Sequence, residues 1–157
     1  MAVLKTLIFT VLVPGTVTVL VPYLLLSSGF ELFSIEISIF RFLGLVPILL
    51  GTLMYLSCAW DFTFVGKGTP APIDPPKELV VRGLYRFVRN PMYAGVALVL
   101  FGEAVLFQSG MLFVYAALVL LGFHLFVVCY EEPTLRRKFG ESYEQYCRRV
   151  PRWVPGV

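Results

Sequence analysis

Apolar residues in this chain do not recur as stripes between polar ones; they run together in four long blocks, about Val3 to Leu26, Ile39 to Trp60, Met92 to Phe107 and Met111 to Tyr130. A block of roughly 20 apolar residues forms a helix that is apolar all round and long enough to cross about 30 Å of hydrocarbon. The pattern therefore predicts an all-α, polytopic membrane protein of four transmembrane helices, the third being the shortest. Pro14-Gly15 and Pro22 interrupt the first block, and Gly44, Pro47 and Gly51 the second. Kinks are expected there, with the freed carbonyls satisfied by neighbouring helices. Gly95 and Gly102, seven residues apart, share a helix face suited to close packing.

The polar connections differ in character. Gly29 to Ser38 is short and reads as a plain external loop, and the uncleaved first block before it reads as a span and not as a leader. Gly66 to Pro76 is too rich in Pro and Gly for regular structure and suits a lid, a binding loop or a stiff spacer. From Lys77 to Arg89 apolar residues alternate with Arg82, Arg86 and Arg89, as in an interfacial segment. After the fourth block Pro133 can start a new helix, in which Leu135, Phe139, Tyr143 and Tyr146 recur at helical spacing opposite basic residues, with a bend at Gly140. Trp153 is placed to anchor at the membrane interface. The organisation expected is one domain over residues 1–157, with an N-terminal helical hairpin over 1–60 and a cofactor-binding core over 61–157.

Composition agrees with the membrane class, since 58% of the residues are hydrophobic and only 15% are charged, against about 25% in soluble domains. With four spans, 12 of the 13 Lys and Arg residues fall on one face and only Arg41 on the other. The positive-inside rule then places both termini in the cytoplasm. The same basic face favours anionic lipid headgroups, and nucleic acid is not implied. Three cysteines, Cys58, Cys129 and Cys147, read as free thiols, and one His without a Cys-x-x-Cys pair gives no support to a metal site.

Candidate chemistry lies at the two ends of the last helical hairpin. A hairpin of two spans returns its ends to one membrane face, so Arg89-Asn90-Pro91-Met92-Tyr93-Ala94-Gly95 and Tyr130-Glu131-Glu132-Pro133 become neighbours. Asn90-Pro91 also has a structural reading, as the N-cap and first residue of a helix. Glu131 and Glu132 have one too, beside a helix N-terminus and within reach of Arg136 or Arg137. Two adjacent acids at the end of an apolar span nevertheless cost desolvation unless something cationic or hydrogen-bonding meets them.

Gly83-Leu84-Tyr85, Arg89-Asn90-Pro91-Met92-Tyr93-x-Gly95, Glu131-Glu132, Phe139-Gly140-Glu141-x-Tyr143-x-x-Tyr146 and Arg149-Val150-Pro151 together resemble the isoprenylcysteine carboxyl methyltransferase and phospholipid N-methyltransferase superfamily of integral membrane methyltransferases. The resemblance spans about Gly66 to Pro155. The Asn-Pro-Met-Tyr and Tyr-Glu-Glu-Pro pieces are similar to the phospholipid version, the Phe-Gly-x-x-Tyr and Val-Pro tail to the carboxyl version. The resemblance implies a polytopic enzyme that binds S-adenosylmethionine at the cytoplasmic face and leaves S-adenosylhomocysteine. Carried over by position, Lys77, Glu78, Leu79, Val80, Tyr85, Asn90, Pro91, Met92 and Tyr93 wall the cofactor, largely through backbone. Glu131 anchors a polar or cationic part of it, with Glu132 behind. Asn90, Tyr93 and Glu132 form the implied catalytic set, with Glu132 or Tyr93 taking the proton if the nucleophile is an ammonium.

Two departures from the family pattern bear on the acceptor. Asn90 stands where the carboxyl enzymes commonly have His, and Val127 stands where eukaryotic members place an Arg thought to meet the prenylcysteine substrate. The expectation is therefore a membrane lipid or other lipophilic acceptor, a phospholipid amine among them, entering from the bilayer past Gly95, His124 and Val127. An isoprenylcysteine-type carboxyl acceptor is the alternative. His124 is equally readable as a hydrogen-bonded packing residue, and Glu103 as a side chain that pairs or snorkels in the outer third of its span. Readings from other classes are an NADPH-dependent membrane reductase and a non-catalytic accessory or scaffold protein.

Overall fold

The computed structural model describes residues 2–33, 36–64 and 79–155. Helix dominates, with no strand among the described residues. Three helices, Val3–Ser27, Ser38–Phe64 and Gly110–Phe139, are long and apolar enough to cross a membrane, and a shorter apolar helix runs Pro91–Leu106. We refer to these in chain order as the first, second, fourth and third helices, followed by a tail helix over Glu141–Arg149. The third, with 16 residues, is about 24 Å long, short of the hydrocarbon thickness. The fourth, with 30, reaches about 45 Å, so its far end extends past the hydrocarbon. A helix is thus present in each of the four predicted apolar blocks, three of them long enough to cross a membrane and the third shorter, and the protein is an all-α polytopic membrane protein.

The second and third helices run antiparallel in contact at backbone level, and glycines make this possible. Gly51 meets Gly95, and Gly44 meets Gly102. A Cβ added at Gly95 would lie 2.8 Å from the Gly51 carbonyl oxygen, and one at Gly102 2.6 Å from that of Gly44. The two glycines of each helix are seven residues apart, so both pairs fall on one seam. Gly44 and Gly51, expected to mark kinks, are packing residues. Inside hydrocarbon, where hydrophobic burial between helices contributes little, such close approach is what dispersion and weak backbone contacts require.

The first helix docks on this pair through polar side chains. Thr6 Oγ1 bonds Thr63 Oγ1 at 2.9 Å, and Thr10 Oγ1 bonds the Tyr55 hydroxyl at 2.9 Å. Its predicted irregularity is a π turn over Thr16–Leu20, just before Pro22. The Tyr115 hydroxyl of the fourth helix donates to the Val17 carbonyl in that turn at 2.9 Å. Tyr55, Ala59, Val96, Leu100 and Ala116 form the enclosed apolar centre.

The loop before the second helix does more than connect. Ser109 caps the fourth helix by accepting from Leu112 N, and its hydroxyl donates to Glu31 Oε1 at 3.0 Å. Met111 N also donates to Glu31 Oε1. A carboxylate at a helix N-terminus meets unsatisfied N–H groups and the positive end of the helix dipole. Among the described residues, the amphipathic stretch before the third helix forms a 3-10 turn over Gly83–Arg86, and the amphipathic helix of the polar segments lies after the fourth span. There Gly140, at φ +52°, makes the predicted bend. Pro133 does sit in the first turn of an α-helical segment, Glu132–Phe139, which continues the fourth helix past its π turn without a break.

The glycine seam yields the first prediction. Gly95→Ala should lower thermal stability in detergent by about 1 to 3 kcal/mol, the cost of overpacking a seam whose nearest atoms are backbone. Gly122→Ala, where a Cβ meets nothing within 4 Å, serves as the control and should leave the melting temperature unchanged or higher.

Candidate functional site

The turn that ends the apolar part of the fourth helix is not α-helical. Val127–Glu131 form a π turn, closed by Glu132 N on the Val127 carbonyl. Pro133 follows, with no N–H to give the Cys129 carbonyl, and a widened turn accommodates that loss. The turn sends two adjacent carboxylates to different neighbours. Glu131 faces the start of the third helix and accepts from the Tyr93 hydroxyl at 2.8 Å. Glu132 faces the tail, its side chain only 4% exposed.

Glu132 is surrounded by arginines from three segments. Arg152 of the tail binds it through two bonds, Nε to Oε1 at 2.7 Å and Nη2 to Oε2 at 3.1 Å. Arg89, just before the third helix, lies 3.1 Å from Oε1, and Arg136 3.7 Å from Oε2. Paired guanidiniums and their hydrogen bonds are what make a buried carboxylate tolerable. Arg89 Nη1 also donates to Cys147 Sγ at 2.8 Å on the tail helix.

The tail then runs along the base of the third helix. Arg89 N donates to the Pro151 carbonyl at 2.9 Å, and Asn90 Nδ2 donates to the Arg152 carbonyl at 3.1 Å. Asn90 does occupy the N-cap position ahead of Pro91, but its side chain makes no cap bond. Proline at N1 has already removed one of the N–H groups that a cap would serve, which lets the amide hold the tail. Tyr146 adds a further link, its hydroxyl donating to the Tyr85 carbonyl at 2.7 Å. Burial pushes the Tyr146 phenol above its ordinary value, so it stays a donor across the physiological range.

The structure brings most of the sequence-predicted wall together. Val80 and Tyr85 pack on Cys58 of the second helix with Met92 against them, Leu79 packs on the tail helix, and Pro91 is fully buried. With these side chains committed to packing, backbone is what the segment offers a ligand. Gly83 turns it at φ +54°, and the Asp61 carboxylate sits where a Cβ would be. Lys77 and Glu78, together with the Gly66 to Pro76 loop, lie outside the described residues.

The predicted channel set divides. Gly95 is used in the glycine seam and Val127 is fully enclosed, so neither borders open space. His124 does, in a groove of about 720 Å³ between the third and fourth helices, lined by Ala94, Ala97, Phe101 and Ala117 and closed by His124 and Trp153. His124 Nδ1 accepts from Trp153 Nε1 at 3.1 Å, so Trp153 is tied to a side chain and not only to an interface. Glu103 keeps one carboxylate oxygen buried without a partner.

Sequence reasoning quoted Arg89 in its motif but gave neither it nor Arg152 a place on Glu132, and it did not find the groove. Both arginines look like any other members of the basic face. The groove had a signal in Ala94, Ala97 and Ala117, small residues at one-turn spacing on two adjoining spans.

The chain is similar to known proteins over much of its length. Residues 39–142 match the family described as phospholipid methyltransferase. Among curated relatives, a "Probable protein-S-isoprenylcysteine O-methyltransferase" of Oryza sativa subsp. indica is 30% identical over 74% of this chain and 61% of its own. "Protein-S-isoprenylcysteine O-methyltransferase B" of Arabidopsis thaliana is 30% identical over 73% of this chain and 58% of its own. "Protein-S-isoprenylcysteine O-methyltransferase" of Schizosaccharomyces pombe is 40% identical over 49% of this chain and 33% of its own. The chain therefore spans at most about three fifths of the length of these relatives.

Removing the buried acid tests the arginine cluster. Glu132→Ala leaves the largely buried Arg89 guanidinium without its anion, beside the more exposed Arg152 and Arg136, and should cost about 3 kcal/mol in folding stability. Hydrogen exchange should show the loss concentrated in the tail and the start of the third helix, and uniform protection would contradict the arrangement.

Proposed function

The chain belongs to the phospholipid methyltransferase family, and from that premise we propose that it is an integral membrane methyltransferase that uses S-adenosylmethionine on a lipophilic acceptor. The observation that carries the reading is the Tyr93 to Glu131 bond, which joins the two ends of the last hairpin at one face. Glu131 Oε1 accepts no hydrogen bond among the described residues, which suits a ligand bearing an ammonium, hydroxyls and a sulfonium. When bound, the cofactor supplies an electrophilic methyl group for in-line displacement by the acceptor.

The chain's own part is positioning and water exclusion, which such a displacement needs more than an acid and base set. Glu131 holds a polar or cationic part of the cofactor, and Tyr93 fixes the carboxylate that does so. Backbone from Leu79 through Met92 forms the wall, with Lys77 and Glu78 continuing it. Asn90 and Glu132 act as positioning residues, because the first holds the tail carbonyl and the second has both oxygens on guanidiniums. His124 borders the acceptor path.

A second reading of the acceptor, an isoprenylcysteine carboxylate, is favoured by the names of the relatives. Val127 argues in the other direction, since it supplies no cation for a carboxylate. The product separates them: transfer of labelled methyl to lipid extracts should give a base-stable, organic-extractable product, while farnesylcysteine analogues would give base-labile esters. With the basic residues on one face, both termini are read as cytoplasmic. Reporter fusions to the tail and to the loop before the second helix should give opposite signals.

Calorimetry tests the cofactor site directly. Glu131→Gln should weaken S-adenosylhomocysteine binding by about 1.5 to 3 kcal/mol, the loss of a charge-assisted hydrogen bond, or roughly 10- to 150-fold. Tyr93→Phe should act in the same direction and less strongly. Unchanged affinity in Glu131→Gln would remove this residue from the site.

A further inference from the structure

The groove between the third and fourth helices is apolar along its length and polar at one end only. Ala94 and Ala97, small side chains one turn apart, face Ala117 across it and keep the helices' outer surfaces from closing, while Phe101 continues the apolar wall. Its volume of about 720 Å³ falls within the roughly 300 to 1,000 Å³ of small-ligand sites. The polar end is His124 with Trp153. The indole N–H donates to His124 Nδ1, so the neutral ring carries its proton on Nε2, and Nε2–H has no partner among the described residues. The tail that brings Trp153 here is held one residue earlier by the Arg152 to Glu132 bonds. The groove lies beside the candidate site: its Ala94 adjoins Tyr93 in the chain, and Phe123, the neighbour of His124, meets the Tyr93 ring at 4.8 Å between centroids.

We propose that this groove holds the chain of a single-chain lipid whose head carries an oxygen acceptor, and that His124, fixed in its Nε2–H tautomer by Trp153, donates to that oxygen. Trp153 is thereby a specificity-determining positioning residue, setting where the polar head stops relative to Tyr93 and Glu131. The inference deepens the lipophilic-acceptor reading above and rests on it for the identity of the occupant as acceptor. An oxygen-bearing head matches the single donor available, and an apolar wall matches a hydrocarbon or isoprenoid chain.

The chain has two tryptophans, and Trp60 lies on the exposed side of the second helix stacked on Phe64. Trp60→Phe therefore leaves Trp153 as the only indole, reporting from the end of the groove. In that background, dibromostearic acid in detergent micelles should quench the fluorescence saturably. Dibromooctadecane, which has no oxygen, should do so about tenfold more weakly, the effect of one hydrogen bond left unmade. His124→Phe should abolish the difference between the probes. Ala117→Phe should remove the saturable phase, while Leu118→Phe, on the outward face, should keep it.

Quenching that grows linearly with probe content and is equal in Ala117→Phe would overturn the proposal in favour of micelle partitioning. Protection of Trp153 from both probes in a cross-linkable dimer would overturn it in favour of a second copy of the chain. S-adenosylhomocysteine calorimetry on the same samples separates the two readings. Saturable quenching without nucleoside binding would uphold the groove and overturn methyl transfer, and nucleoside binding without saturable quenching would do the reverse.

Discussion

One buried carboxylate holds the functional end of this protein together. Glu132 ends the apolar part of the fourth helix, and its charge would be costly there without the guanidiniums of Arg89, Arg152 and Arg136. Those arginines come from the approach to the third helix, from the tail and from the next turn of the same helix. Satisfying one charge therefore fixes three segments relative to one another. Asn90 is then placed against the Arg152 carbonyl, Trp153 against His124, and Tyr93 against Glu131. A neutral residue at 132 would need none of these guanidiniums, and the tail would keep only its neutral hydrogen bonds, among them those to Arg89 N, Asn90, the Tyr85 carbonyl and His124.

The membrane-embedded part solves a different problem. Helices in hydrocarbon gain little from burying apolar side chains against each other, so they associate by close packing and by hydrogen bonds. The second and third helices use the first device, with two glycine pairs on one seam. The first helix uses the second, through Thr6, Thr10 and the Val17 carbonyl. The third helix is packed on one side by this seam and is left on the other with an alanine-lined groove. A rigid helix with one tight and one open side suits a site that binds a soluble cofactor at its end and a lipid along its length.

The two π turns mark where regular helix gives way to these demands. The one in the first helix frees a carbonyl that Tyr115 takes up. The one at Val127–Glu131 sets Glu131 and Glu132 toward different partners. An unbroken α-helix would also separate adjacent side chains by about 100°. The widened turn rotates each residue through less than that, which shifts the register of both carboxylates relative to the helix before it, and it absorbs Pro133 without a break in the chain of helical residues.

The class, the four spans and the pairing of the two motif ends were legible in the sequence, because length and continuity of apolar blocks are decided by the bilayer and not by tertiary detail. The same holds for the Gly95 and Gly102 face and for the bend at Gly140. What the third dimension decided was the direction of individual side chains. Asn90 stands at the N-cap position that its sequence context suggests, but its side chain makes no cap bond and holds the tail. Gly95 and Val127 were expected on a channel and are enclosed, while Trp153, expected at an interface, closes a groove on His124. Spacing along one helix says which residues share its face, but which face meets a neighbour depends on contacts between segments far apart in sequence. Arg152 and Glu132 find each other only because the chain folds back 20 residues later, and no local pattern carries that information.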